Sequence, residues 1–233
     1  ERAGRGEHGV NALLRALPST VSASSQNEPE REAVVAAING VLGDHLVATN
    51  NSLATPMTLR WAGELSPHAP SQTVLILVHG LCMNDLQWRH HGHDHGAMLA
   101  DRLGMVPVYL RYNTGRHIGH NGAALAQQLQ ALVTAPAGAQ AHRLVLLGHS
   151  MGGLVLRSAM HQAAQQGMTW PQRVSDLVCL GSPHLGAPLE RAGHGVDILL
   201  GATPSVAPLA RLGRLRSAGI NDLRHGDLEV IPH

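Results

Sequence analysis

Hydrophobic residues in this chain occur in two alternating patterns. Short hydrophobic runs predict β-strands at 73–78, 106–112, 143–147 and 174–180. Hydrophobic residues at helical spacing between or after these runs predict helices at 98–103, 123–133 and 152–164. Strands that are hydrophobic on both faces and separated by helices are typical of a parallel sheet that is covered on both sides. The pattern therefore predicts an α/β fold with a mainly parallel, twisted sheet.

The chain before the first buried run divides near residue 30. Residues 1–29 include the aperiodic stretch PSTVSASSQNEP, so we predict a flexible N-terminal segment. From residue 30 the hydrophobic residues recur at helical spacing, which predicts an amphipathic helix on the main body, and 57–65 alternate as in a strand. With 233 residues, of which 44% are hydrophobic, residues 30–233 are expected to form one domain.

Charge and composition exclude several classes of partner. The formal net charge is +1 and only 14% of residues are charged, so we expect no binding to nucleic acid. No hydrophobic run approaches the roughly 20 residues of a membrane span. No export signal is recognisable, which favours the cytoplasm. The two cysteines, Cys82 and Cys179, are expected to be free thiols.

The run Gly148-His149-Ser150-Met151-Gly152 follows the third buried strand and opens a predicted helix. It fits the pattern G-x-S-x-G at a strand-to-helix junction, the nucleophile elbow. Glycine is expected at both ends because side chains there would collide with the crossing strand and helix. We therefore predict Ser150 as the nucleophile and the backbone N–H of Met151 as one oxyanion-hole donor.

A second motif, His79-Gly80, ends the first buried strand. The loop after this strand supplies the other oxyanion-hole donor when a chain uses a nucleophile elbow. That donor is expected to be the backbone N–H of Leu81, with Cys82 or Met83 as alternatives.

Three runs, LVHGLCMNDLQW, LLGHSMGGLV and CLGSPHLGAPLE, together resemble the lipase and esterase branch of the α/β-hydrolase superfamily. Within that branch the chain is similar to bacterial PGAP1-like (GPI inositol-deacylase-like) proteins over about 73–189. The resemblance implies a serine esterase that acts on small-molecule substrates. It would cleave lipid-like or hydrophobic carboxylic esters through an acyl-enzyme on Ser150. Such an esterase needs no cofactor and no metal. Pocket residues are then expected to be His79, Gly80, His149 and His184.

The acid and the base of a catalytic triad are not identified by these motifs. In this fold they follow the nucleophile in the order Asp or Glu, then His, on later strands, but only 174–180 is a strand candidate after Ser150. Candidates are Asp197, Asp222, Asp227, His194, His225, His233 and, as a minor possibility, His184. We expect the chain to lack the last strands of the fold. An acyltransferase, or a binding module without a triad, stays open as an alternative.

Three further features each have a functional and a structural interpretation. The histidine-rich stretch 89–96 could bind zinc, but it has no zinc-motif spacing such as H-E-x-x-H, and a role in the pocket wall or in loop stabilisation is favoured. Arg111 or Arg116 could bind an anionic group or order its own loop. Segments 196–200 and 206–215 could form a lid or core helices.

Overall fold

In a computed structural model of the chain, the described residues are 28–64, 72–135, 141–185 and 217–225. Most of the predicted flexible segment, 1–27, lies outside them. So do both candidate lid segments and the triad candidates His194, Asp197, Asp227 and His233.

The described residues contain a five-stranded sheet and a two-stranded hairpin. The strands are β1 (Thr58–Trp61), β2 (Gln72–Val78), β3 (Arg89–His90), β4 (His93–Asp94), β5 (Met105–Arg111), β6 (Ala141–His149) and β7 (Val174–Leu180). The large sheet has the order β1-β5-β2-β6-β7, and β1 alone among these five runs antiparallel to its neighbour. On the central strand β2, Ile76 pairs with both Val108 and Leu146. The predicted, mainly parallel sheet is confirmed.

Helices cover both faces of this sheet. They are α1 (Glu28–Ala48), α2 (His95–Leu103), α3 (Ile118–Thr134), α4 (Met151–Gln165) and α5 (Ala218–His225). Alternate residues of β2 contact different helices, since neighbouring side chains of a strand point to opposite faces. Ile76 lies in the larger core with α1, α3 and α4, whereas Leu77 lies in the smaller core with α2. The predicted layers are therefore present.

The first helix begins at Glu28, two residues earlier than the hydrophobic pattern indicated. Pro29 and the acidic residues Glu28 and Glu30 lie in its first turn, where proline costs no hydrogen bond and negative charge is favourable.

No helix within the described ranges is long and hydrophobic enough to cross a bilayer.

The last of the described strands, β7, differs from its prediction as a buried strand. Within the described residues it pairs only with β6 and forms the edge of the sheet. Leu177, Val178 and Leu180 are consequently 38%, 40% and 46% exposed. The hydrophobic run predicted the strand correctly but not its burial, because burial depends on a neighbour that the run itself cannot reveal.

Candidate active site

The turn between β6 and α4 holds Ser150 in an unusual conformation. Its backbone angles are φ 52° and ψ −121°, a conformation that residues other than glycine rarely adopt. Such a conformation costs a non-glycine residue about 1–3 kcal/mol. The Ser150 N–H donates to the Leu180 carbonyl at the end of β7 over 2.8 Å, which ties the turn to the neighbouring strand. Ser150 is therefore held at the carboxyl edge of the sheet, where ligands of parallel α/β proteins bind.

Glycine on either side of Ser150 is required by close backbone contacts. A Cβ at Gly148 would lie 2.5 Å from the backbone nitrogen of Gly153 in α4. A Cβ at Gly152 would lie 2.3 Å from the carbonyl oxygen of Val78 in β2. The steric reason given for the G-x-S-x-G pattern is thus confirmed: one glycine avoids the helix and the other avoids the crossing strand.

The helix that follows Ser150 directs its amino terminus at the turn. Met151 is the first residue of α4, and the first N–H groups of any helix lack acceptors within the helix. The aligned peptide dipoles add partial positive charge at this end. An oxyanion formed beside Ser150 would therefore meet a favourable electrostatic environment.

The segment after β2, residues 79–84, passes directly beside the serine. A Cβ at Gly80 would lie 3.1 Å from the Ser150 Cβ and 3.2 Å from Nδ1 of His149. Leu81, the next residue, is 2% exposed. The two motifs that the sequence pointed to thus meet in space, on adjacent parallel strands.

His79 supports this segment and does not line a pocket with its side chain. Its ring is 1% exposed and stacks on the ring of Tyr112, with centroids 4.5 Å apart. Burial lowers the pKa of His79 to about 4, so the imidazole is neutral near pH 7. Because the Gly80 carbonyl can only accept, the Nδ1 atom 3.0 Å away carries the proton and donates it. The His79 ring is therefore enclosed by the core, and any part of His79 in a substrate pocket falls to its backbone.

Cys82, within the same segment, has a left-handed backbone conformation, with φ 58°. Burial raises the pKa of its thiol to about 12, so the group is protonated near neutral pH. A protonated thiol is a poor nucleophile. Cys82 does not compete with Ser150 and acts as a packing residue, as expected for a buried free cysteine.

The other two expected pocket histidines differ in position. His149 precedes Ser150 and is half-buried, and this burial lowers the pKa of its imidazole. His184 instead accepts a hydrogen bond at Nδ1 from Arg157, over 2.9 Å. Arg157 lies seven residues after Ser150 on α4, about 10 Å along the helix axis. The recorded contact of His184 is thus with α4, away from the serine.

Asp222, one of the triad candidates, is bound elsewhere. Its Oδ2 accepts the N–H of Ile118, the first residue of α3, over 2.7 Å, and both its oxygens lie within 3.1 Å of the His117 ring. The start of α3 lies beside the far end of α4, as shown by the hydrogen bond of 2.8 Å from the Gln162 side chain to the Gly119 carbonyl. Gln162 is about 18 Å along the axis of α4 from Ser150. Asp222 caps α3 from a distant part of the chain. For the other candidate on this helix, His225, only the backbone is among the described parts of the chain.

Arg111, which the sequence offered either as an anion-binding residue or as a residue that orders its loop, forms ion pairs within the protein. Its guanidinium contacts Asp85 at 2.5 Å and Glu32 at 2.7 Å. Asp85 is 1% exposed and contacts a second guanidinium, that of Arg60. Burial alone would raise the pKa of Asp85, but hydrogen bonds from the two arginines hold it below its ordinary value. Arg111 therefore orders its surroundings and is not free to bind an anionic substrate.

The histidine-rich stretch forms the β3–β4 hairpin and the start of α2. Its carboxylate, Asp94, accepts hydrogen bonds from the Tyr109 hydroxyl, the Arg89 guanidinium and the Ala97 N–H. Among the described residues, no group of three or more metal-ligating side chains converges. Asp94 thus acts as the N-cap of α2 and as a hydrogen-bond partner of β5.

Comparison with solved structures supports the fold. The structure is similar to the mature Bacillus licheniformis lipase BlEst2, with a TM-score of 0.52 and 20% identity over 73% of this chain and 62% of that one. The propeptide form of the same lipase gives a TM-score of 0.52 and 18% identity, over 73% and 34% of the two chains. The match therefore spans less than two thirds of the mature lipase. A search of curated protein sequences finds no match.

A family model provides the most specific comparison. The model described as the PGAP1-like alpha/beta domain matches residues 69–202, more than half of the chain. This range includes the segment after β2, the turn at Ser150 and all of β7. The chain belongs to the family of PGAP1-like alpha/beta domains, which have the α/β-hydrolase fold.

Proposed function

We propose that this protein is a serine hydrolase of carboxylic esters and that Ser150 forms the acyl-enzyme. The proposal rests on one observation above all: Ser150 occupies a strained strand-to-helix turn, and the segment 79–84 lies against its side chain. A strained serine at the start of a helix is the arrangement that exposes a nucleophilic hydroxyl in this fold. The family and the likeness to a lipase agree with this chemistry.

The proposed reaction has two steps. In the first, Ser150 Oγ forms a bond to the ester carbonyl carbon and gives up its proton, and the alcohol leaves with a proton as the C–O bond breaks. Water then attacks the acyl-enzyme, which releases the carboxylic acid and restores the serine hydroxyl. Each tetrahedral intermediate carries a negative oxygen, for which the N–H groups of Leu81 and Met151 are the proposed donors. We call residues 79–84 the oxyanion loop.

The substrate is proposed to be hydrophobic and uncharged. Near the serine, His79 and the Cys82 thiol are both neutral at pH 7, and Arg111 is already paired with two carboxylates. None of these three side chains is thus available to pair with an anionic substrate. Esters with apolar acyl chains, as in lipids, suit such surroundings better than charged esters.

Hydrolysis of p-nitrophenyl esters tests this proposal. Acyl chains of 2 to 12 carbons would be compared for the wild type, S150A and the control S158A, since Ser158 is a buried serine on α4, the helix that follows Ser150. We expect turnover by the wild type and S158A, with kcat/KM rising with chain length, and loss of turnover in S150A. Equal turnover by S150A would show that Ser150 is not the nucleophile.

A second candidate function is a binding module that keeps the fold without turnover. It is favoured by the observation that two triad candidates in the described part of the chain have other partners: Asp222 contacts His117, and His184 contacts Arg157. A wild-type protein that binds an unreactive ether analogue of the ester, but neither turns the ester over nor reacts with a fluorophosphonate, would favour this candidate.

A further inference from the structure

The oxyanion loop is held by hydrogen bonds on both sides of Gly80 and Leu81, and both bonds come from the short segment 112–114. The Tyr112 hydroxyl donates to the His79 carbonyl over 2.8 Å. The Thr114 hydroxyl accepts the N–H of Cys82 over 3.1 Å. Both side chains are almost fully buried, with exposures of 2% and 1%. Neither residue was singled out as functional from the sequence, because each is an ordinary residue after a strand.

These bonds fix the direction of the peptide groups in the loop. The C=O and N–H of a trans peptide point in opposite directions, so a carbonyl held on one side turns the following N–H to the other. Tyr112 holds the His79 carbonyl, which sets the N–H of Gly80, and the His79 ring holds the Gly80 carbonyl, which sets the N–H of Leu81. The stacking of His79 on Tyr112 joins the two restraints into one unit.

The segment that provides these bonds is itself anchored. Asn113, between the two residues, donates to the Gly43 carbonyl of α1 over 2.9 Å. Its own carbonyl accepts from the Asn121 side chain of α3, also over 2.9 Å. Tyr112 and Thr114 thus bond to the loop, while the side chain of Asn113 bonds to α1. The restraint on the loop therefore extends to two helices of the core.

We propose that Tyr112 and Thr114 are positioning residues that hold the oxyanion loop so that the Leu81 N–H points to the oxyanion formed beside Ser150. The proposal rests on the proposed function, since it assigns these residues a part in ester hydrolysis. A well-aimed donor stabilises charge that exists only in the transition state, so its misplacement lowers kcat more than it changes KM.

The variants Y112F and T114V test this role with little change of side-chain volume. Loss of one of these hydrogen bonds to the loop is expected to lower kcat roughly 10- to 100-fold, with KM changed less than about threefold. The control is Y109F, because Tyr109 is the only other tyrosine in the chain and its hydroxyl is bonded to Asp94 instead of the loop. Y109F is expected to retain the wild-type kcat. Wild-type kcat in both Y112F and T114V, or an equal loss in Y109F, would overturn the proposal.

Amide hydrogen exchange of the peptide containing residues 79–84 provides a readout that needs no turnover. We expect faster exchange there in Y112F and T114V than in the wild type and Y109F. Unchanged exchange in both variants would overturn the positioning role, even if the wild type is active. If the wild type hydrolyses no ester, the proposed function fails, while exchange still decides whether these residues hold the loop.

Discussion

A Cβ placed on Gly80 would lie 3.1 Å from the Cβ of Ser150, so the two motifs recognised in the sequence are in close contact at these residues. The same Cβ would lie 3.3 Å from the carbonyl oxygen of His149. G80A is therefore expected to push the oxyanion loop away from the serine. We expect kcat to fall about 100-fold, as for other small displacements of catalytic groups, at a cost in stability of about 1–3 kcal/mol.

The matched control for this prediction is G63A. Neither glycine has a left-handed backbone, but the nearest atom to a Cβ at Gly63 is 3.4 Å away, an ordinary contact. G63A is expected to have wild-type kcat and stability within about 0.5 kcal/mol of the wild type. A fully active G80A protein would contradict the account of the loop.

The buried imidazole of His79 predicts that acid destabilises the protein. Its pKa is about 4 in the folded state, against 6.5 for an unperturbed histidine. Between these values the unfolded chain binds more protons, so stability falls as the pH decreases through 6.5 towards 4. His79 alone is expected to remove about 3 kcal/mol across this range. Chemical denaturation at pH 7.5, 6, 5 and 4.5 would measure the effect.

The variants H79N and H161N separate His79 from the other titrating groups. H79N is expected to be less stable at pH 7.5, because the stacking on Tyr112 is lost, but to show a smaller decrease between pH 7.5 and 4.5. His161 is exposed on α4, so H161N should follow the wild-type curve. An H79N curve parallel to that of the wild type would show that His79 does not cause the acid sensitivity.

Asp222 is expected to contribute to stability and not to the reaction. D222A removes the acceptor of the Ile118 N–H at the start of α3 and the partner of His117. The loss of a helix cap predicts a decrease in stability of about 1–2 kcal/mol, measured by urea denaturation, with kcat unchanged. A folded D222A protein without activity would instead identify Asp222 as the acid of the triad.

The sequence predicted most of the fold because the relevant signals are local. Hydrophobic runs located the four parallel strands of the described sheet, and the glycines around Ser150 follow from contacts that any such turn makes. The exposure of β7 was not predictable, since a run of hydrophobic residues indicates a strand but not how many neighbours it has.

The contacts that hold the candidate site depend on residues far apart in the chain. The bond from Tyr112 to His79 spans 33 positions, and that from Asp222 to Ile118 spans 104. No spacing rule relates such pairs. The sequence consequently allows a substrate-binding role for Arg111 and an acid role for Asp222, whereas the structure pairs Arg111 with Asp85 and Glu32 and places Asp222 at a helix start.

The most direct test of the central claim is covalent labelling of Ser150. Trypsin cleaves after Arg143 and Arg157, and the resulting peptide 144–157 contains Ser150 as its only serine. After treatment of the native protein with a fluorophosphonate, mass spectrometry is predicted to find stoichiometric modification of this peptide. The label should be absent from S150A and from protein unfolded before treatment. Native protein in which peptide 144–157 stays unmodified would contradict the assignment of Ser150 as an activated nucleophile.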